Sequence, residues 1–561
     1  MRTTIEKLSN KIAVALGEKK ADTVLKNANI VDILNYRIIK GDVAITDGII
    51  VGVGEEYQGE KEVDCTGKYV MPSFFDTHIH FESSLITPDK YLMHAIPHGM
   101  TMINADCHEI ANVCGEDGMQ FMMDCVKGIP VDINFMLPSC VPATPFEHAN
   151  AYWDAETTRR LLATNKYFGL GEMMNYPGIM MRDPDVLGKI VATEITDGHA
   201  PCLTGKVLNA YLTTDIHNDH ECETAEEAFE KISKGMYVML RQGSQTKNLA
   251  TLVKAYNGKN GRRFILCTDD KHIDEVKKYG TIQNNIVLAV DTHGVDPYDA
   301  IAMASLNAYE CYGIKNLGAV AINYYADLVV ADDIVPRNIV QVYKNGQLVA
   351  ENGKALFELP QADKSKVINT VNRAPLTKEM FTPKFVPNKT PVIQIVNHSA
   401  FTKKTFKVTT EGLNMCAVIE RHKATGNIGT CWVEGFGLKG GAIAQTVGHD
   451  SHNISVMGDN EADMLLAVET LGKDGGMVVV VDGKVEYKFT LDIAGLMSSK
   501  SVDEVIAEHI TLKEKTKAIV PDEANAPFML LSVFPLIVIP EIKLSDSGIF
   551  DVLEFRFIDA E

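Results

Sequence analysis

Between residues 71 and about 312, apolar β runs alternate with helical segments, and most runs end on an ionisable side chain. Such alternation is the signature of βα units feeding a parallel sheet. Eight candidate strands end near His80, Asp106, Cys140, Glu172, His199, His220, Gly243 and Asp269. Residues 132–137 and 237–241 are the clearest strands, and 194–198 is the least regular. Eight units of this length match a (β/α)8 TIM-like barrel of about 250 residues, in which chemistry sits at the C-terminal strand ends. Here six of the eight ends carry His, Asp or Glu. That is the composition of a catalytic rim.

The flanks read differently. Residues 5–20 have an amphipathic helical pattern (Ile5, Leu8, Ile12, Ala15, Leu16), and 21–70 hold short β runs. Asp47-Gly48, between two such runs, is a hairpin signal. Beyond the barrel, β runs resume at 318–322, 326–332 and 342–349, the last turning at Asn345-Gly346. The simplest arrangement is a small β-sandwich domain made from 1–70 and 316–360, with the barrel (71–315) inserted between its halves. Polar, proline-punctuated residues 361–390 read as a linker, and 391–561 as a C-terminal α/β domain. The apolar stretch 530–540 contains prolines and is too short to span a bilayer. It reads as a buried strand.

Charge and cysteines exclude several classes. A net charge of −20 without any basic block argues against nucleic acid or an anionic membrane as partner. Eleven cysteines without a Cys-x-x-Cys indicate neither a zinc ribbon nor a disulfide framework. With no signal-peptide pattern at the N-terminus, they point to a reducing cytoplasm.

His78 and His80 are two apart on a strand, so they share a face with Cα atoms about 6.6 Å apart. That lets both rings reach one metal ion at about 2.0–2.1 Å. His78, His80, Glu172, His199, His220 and Asp269 together offer four imidazoles and two carboxylates. Such a set suits Mn²⁺, Fe²⁺ or Zn²⁺ rather than Ca²⁺. Six ligands exceed one tetrahedral site and fit two ions that share a bridging carboxylate. Met173-Met174 after Glu172 suggests a buried bridge. Singly, His199 and His220 read as loop histidines, and Asp269-Asp270 as a helix cap; their conjunction on one rim points to a metal site. His108-Glu109 is no zincin motif, because Asn112 stands where the second histidine belongs. Glu109 fits a proton shuttle, and His108 a substrate or metal contact. The packet His449-Asp450-Ser451-His452-Asn453 cannot form a triad from consecutive residues. It reads as a structural or substrate-lid element, with metal binding as the alternative.

Several longer motifs carry a family resemblance. They are Asp76-Thr77-His78-Ile79-His80-Phe81-Glu82-Ser83-Ser84, Pro97-His98-Gly99, Ala105-Asp106-Cys107-His108-Glu109-Ile110-Ala111-Asn112 and Gly171-Glu172-Met173-Met174-Asn175. Asp197-Gly198-His199-Ala200-Pro201, Asp219-His220-Glu221-Cys222, the 449–453 packet and Val538-Ile539-Pro540-Glu541 complete the set. With these in order, nearly the whole chain resembles the bacterial adenine deaminases of the amidohydrolase superfamily. The resemblance implies hydrolytic deamination of adenine to hypoxanthine and ammonia in purine salvage. It also implies two divalent ions, often manganese or iron, and a homo-oligomer such as a dimer. By position, His78, His80 and Asp269 hold one ion and His199 and His220 the other, while Glu172 bridges where many relatives use a carboxylated lysine. Glu109, Asp269 and His108 fall in the catalytic set, and Glu82, Ser83, Asp106, Asp270, His449 and His452 in the substrate-binding set. Two positions depart: Cys107 stands where proline is expected, and Gln242 where an acid is expected. Two alternatives remain open: hydrolysis of a cyclic amide, as in dihydroorotase-like or imidazolonepropionase-like enzymes, and an inactive metal-binding scaffold.

Overall fold

Short strands of two to seven residues build the barrel: β1 (Phe74–Ile79), β2 (Met100–Asp106), β3 (Asp132–Leu137), β4 (Gly169–Met173), β5 (Thr196–Gly198), β6 (Asn218–Asp219), β7 (Tyr237–Arg241) and β8 (Phe264–Cys267). The computed structural model describes residues 4–244, 246–396, 401–520 and 526–558. β1 to β5 form one parallel ladder and β6 to β8 another. β8 returns to β1 through a parallel bridge between Ile79 and Asp269, where the Asp269 N–H donates to the His78 carbonyl at 2.9 Å. Across the other seam the Gly198 N–H donates to Asn218 Oδ1 at 2.7 Å. A Cβ on Gly198 would lie 1.9 Å from the Asn218 carbonyl oxygen, so only glycine lets these two strands approach. The sheet is thereby curled into a cylinder.

The strand leading into β1, Tyr69–Pro72, pairs antiparallel with Leu328–Ala331, so Leu328 lies opposite Pro72. These two belong to one nine-stranded sheet that joins the strands before the barrel to those after it. The two halves of the module expected from sequence are thus joined in one continuous ladder. Ala21–Asp32 makes this possible, because its first half pairs with Gly59–Asp64 and its second with Tyr69–Pro72. Leu25, Ile30, Val43, Ile50, Leu328 and Tyr343 fill the enclosed core. Residues 318–322 form turns rather than the expected strand, and the N-terminal helix stops at Ala15.

In the C-terminal region eight strands, from Pro391–Ile395 to Lys484–Phe489, form one sheet. Side chains alternate across a strand, and the two faces have different partners. Val478 and Val480 pack with Met464, Ala467 and Val468 of the helix Glu461–Leu471. Val479 joins the cluster that holds Ile79, Phe81 and Ile110 of the barrel and Val505 and Leu512 of the helix Val502–Thr516. The sheet therefore lies with one face toward the barrel. Residues 530–540 are not the expected strand: Pro527–Ser532 is a helix, followed by turns, with Leu531, Phe534 and Ile537 buried. Proline at the first helical position suits that start. Among the described residues the cysteines are free, and no helix is long and apolar enough to cross a membrane.

Candidate metal centre

The end of β1 aims His78 and His80 at one point, with their Nε2 atoms 3.0 Å apart. His80 Nδ1 lies 2.7 Å from the Asp106 carbonyl. A carbonyl only accepts, so Nδ1 carries a hydrogen and Nε2 is the ring nitrogen turned inward to the cage. Glu172, from the end of β4, places Oε1 at 3.5 Å from His80 Nε2 and 3.8 Å from His78 Nε2. Asp269, just beyond β8, places Oδ1 at 3.2 and 3.8 Å from the same nitrogens. The other oxygen of Glu172, Oε2, meets His199 Nδ1 at 2.6 Å and His220 Nε2 at 3.2 Å. One carboxylate thus faces two separate imidazole pairs. All six residues are buried.

Charge in this cage is organised for a cation. Burial alone would raise the Glu172 carboxyl, but His220 and His199 hold it well below the usual range. Asp269 is likewise held down against burial by Arg241 and His80. Burial, with His220 and His80 beside it, pushes His78 well below an ordinary imidazole and keeps it a neutral donor. His80 is drawn upward despite burial by its bond to Asp269; the charge that retains this proton is charge a divalent ion would take. His78 Nδ1 and His220 Nδ1 are buried without partners. Several triplets from this set, His78/His80/Glu172 and Glu172/His199/His220 among them, keep their donor atoms within 4.8 Å of one another. The donor set fits two divalent ions.

The supports of the cage are side chains on the same strand ends. Asp106 Oδ2 accepts the Glu172 N–H at 2.8 Å, in space that a Cβ on Gly171 would invade to 2.1 Å. Asp76 takes the Thr268 N–H at 3.0 Å and its hydroxyl at 2.5 Å, which sets the backbone for Asp269, a left-handed residue at φ 55°. Buried Lys231 donates to Asp219, Glu227 and the Ala200 carbonyl at 2.8, 2.6 and 2.6 Å. This ties the loop after His199 to the strand before His220. Arg241, at the end of β7, lies 2.6 Å from Asp269 Oδ2 and also bonds Glu221. Nothing in its local sequence singled it out except that a charged residue closes an apolar strand.

Around the cage lies a second ring. Glu109, in the first turn of α1 (His108–Cys125), has Oε1 at 3.5 Å from His449 Nδ1 and accepts the Ser83 hydroxyl at 3.4 Å. Burial and the neighbouring Glu82 push its carboxyl well above the ordinary range. Ser83 also donates to Asp270. Glu82 Oε1 accepts the Ile110 N–H at 3.1 Å, while its Oε2 is buried and unpartnered. His108 points Nδ1 to Glu172 Oε1 at 3.6 Å and Nε2 to Asp450 Oδ1 at 3.5 Å. Asp450 is a contact that the sequence reading passed over within its packet. His452 turns the other way: its Nδ1 accepts the Gly448 N–H at 3.1 Å. Outside the ring, a cavity of about 470 Å³ opens between the barrel and the C-terminal region, lined by Ser83, His272, His449, Met477, His509 and Phe528.

Residues 69–349 match the amidohydrolase family, and residues 394–556 match the adenine deaminase C-terminal domain. An adenine deaminase of Clostridium acetobutylicum is 43% identical, across 98% of this chain and 100% of that one. One of Halalkalibacterium halodurans is 40% identical across 99% and 98%, and one of Geobacillus kaustophilus 40% across 99% of each. The chain belongs to the adenine deaminase family. Both ends of this family's chain plan are therefore present here, the barrel with its imidazole cage and the sheet that leans His449 and Asp450 over it.

Proposed function

We propose that this chain hydrolyses adenine at C6, giving hypoxanthine and ammonia, with two divalent ions held by His78, His80, Asp269, His199, His220 and the bridging Glu172. The carrying observation is Glu172, whose two oxygens face the two imidazole pairs. Manganese or iron suits this mixed nitrogen and oxygen set, with zinc as a further candidate. Bound there, such ions lower the pKa of water from about 15.7 towards about 7 and so supply a nucleophile at neutral pH.

The chain's own groups handle the protons. Arg241 keeps Asp269 ionised, so its carboxylate can accept a proton from the attacking water. Glu109, kept protonated by burial and Glu82, donates to the ring nitrogen or to the departing ammonia. Two carboxyl groups whose surroundings push them in opposite directions are the arrangement acid–base catalysis requires. Ser83 and Asp270 beside Glu109, with His449 opposite, offer the donors and acceptors that a purine edge needs. The acidic balance of the chain argues against a nucleic acid as substrate. Purine salvage in the cytoplasm, by a homodimer, is the setting we assign to it.

Incubation with adenine and added Mn²⁺ tests the reading. Ammonia release with the ultraviolet change from adenine to hypoxanthine is expected. Ring opening of a cyclic amide, with adenine untouched, would overturn it.

A further inference from the structure

Three buried ligand-type side chains meet on the far side of His108 from the cage. They are His108 itself, Cys140 beyond the end of β3, and Asp450 from the C-terminal region, exposed to 4, 3 and 3%. Their donor atoms all lie within 4.8 Å of one another, and His108 Nε2 is 3.5 Å from Asp450 Oδ1. That separation is too long for a good hydrogen bond. It is close to the spacing of two donors around one tetrahedral ion, given bond lengths of about 2.0–2.3 Å. The other carboxylate oxygen, Asp450 Oδ2, is buried without a partner.

The backbone is built to hold this meeting. The Asn112 amide donates to the His108 carbonyl at 2.9 Å and to the Cys140 carbonyl at 3.0 Å. One side chain therefore fixes the two barrel ligands relative to each other. Cys140 is free of any disulfide, so its sulfur is available as a ligand.

We propose that His108, Cys140 and Asp450 form a third metal site, separate from the Glu172-bridged pair, taking one divalent ion of zinc, iron or cobalt type. On binding, the Cys140 S–H bond gives up its proton to solvent and the sulfur forms the new bond to the ion. One thiolate and one carboxylate then balance the two positive charges, and neutral His108 completes three protein ligands. A single soft sulfur among nitrogen and oxygen donors selects against magnesium and calcium. The ion would pin residue 450 to the barrel mouth, beside Glu109.

Chelated full-length protein, reloaded with excess Co²⁺ without oxygen and then desalted, tests the site by metal stoichiometry and near-ultraviolet absorption. Three equivalents per chain and a thiolate-to-cobalt band are expected. Cys140→Ser and Asp450→Asn should each hold two equivalents, and Cys140→Ser should lack the band. Retention of those two equivalents shows that the barrel and its cage are intact in each variant. Two equivalents and no thiolate band in the unaltered protein would overturn the proposal, as would three equivalents in Cys140→Ser. A His78→Ala control, which breaks the bridged pair, should keep the band; its cobalt loss reports on the cage alone.

Discussion

Arg241 Nη1 lies 2.6 Å from Asp269 Oδ2 inside the barrel, and both residues are almost wholly shielded from water. The same guanidinium bonds Glu221, the neighbour of a cage histidine. Replacing Arg241 by Met leaves buried Asp269 and partly exposed Glu221 without the guanidinium they share. Loss of one partner of a buried pair costs about 3–5 kcal/mol. A urea midpoint lowered to that extent is expected. Arg241→Lys should recover only part, because an ammonium lacks the fork that spans two carboxylates.

Glu109→Gln keeps the shape of the second ring but cannot give up a proton. Its metal content should stay at the unaltered value while kcat falls by about 10²–10⁴-fold. An unaltered kcat would remove Glu109 from the proton path. His78→Ala should behave in the opposite manner, with metal and turnover lost together in elemental analysis and assay.

Gly171→Ala tests the floor of the cage. The added Cβ would lie 2.1 Å from Asp106 Oδ2, the atom that receives the Glu172 N–H. Overpacking of this kind costs about 1–3 kcal/mol. Weaker metal retention during dialysis against a chelator should accompany the lowered melting temperature. Stability without any change in metal retention would show that Asp106 does not set the position of Glu172.

Acid should weaken the fold before the carboxylates titrate. Burial, with Arg421 beside it, lowers His422 to about 3, against about 6.5 in the unfolded chain. Between those values the unfolded state binds the extra proton. This contribution is therefore complete above about pH 6.5 and shrinks as the pH falls, by at most about 1.4 kcal/mol per pH unit. Melting temperatures of His422→Asn between pH 6.5 and 4.5 should fall less steeply than those of the unaltered protein. Parallel slopes would contradict the assignment.

Much of the barrel was legible because most of its strands are short apolar runs that end at or next to a chemically distinctive residue. β5 and β6 are polar and legible only from the histidines that follow them. His78 and Glu172 could be placed on one rim from strand ends alone. What was illegible depends on pairings between distant segments. Nothing around residue 21 announces that one strand will pair with Gly59–Asp64 along its first half and Tyr69–Pro72 along its second, which is how the strands before and after the barrel come to share one sheet. The apolar composition of 530–540 reported burial correctly but not backbone period; there the chain makes a helix and turns. Arg241 and Asp450 escaped for a related reason. Their roles lie in what they touch, at separations of 28 residues for Arg241 and Asp269 and several hundred for Asp450 and His108.

His449 and Asp450 reach Glu109 and His108 from the last third of the chain. During synthesis the barrel therefore emerges from the ribosome with its mouth uncovered and Glu109 open to water. There the carboxyl loses the shielding that keeps its proton at neutral pH. The carboxyl reaches its shielded state only when the final sheet has settled over the barrel mouth.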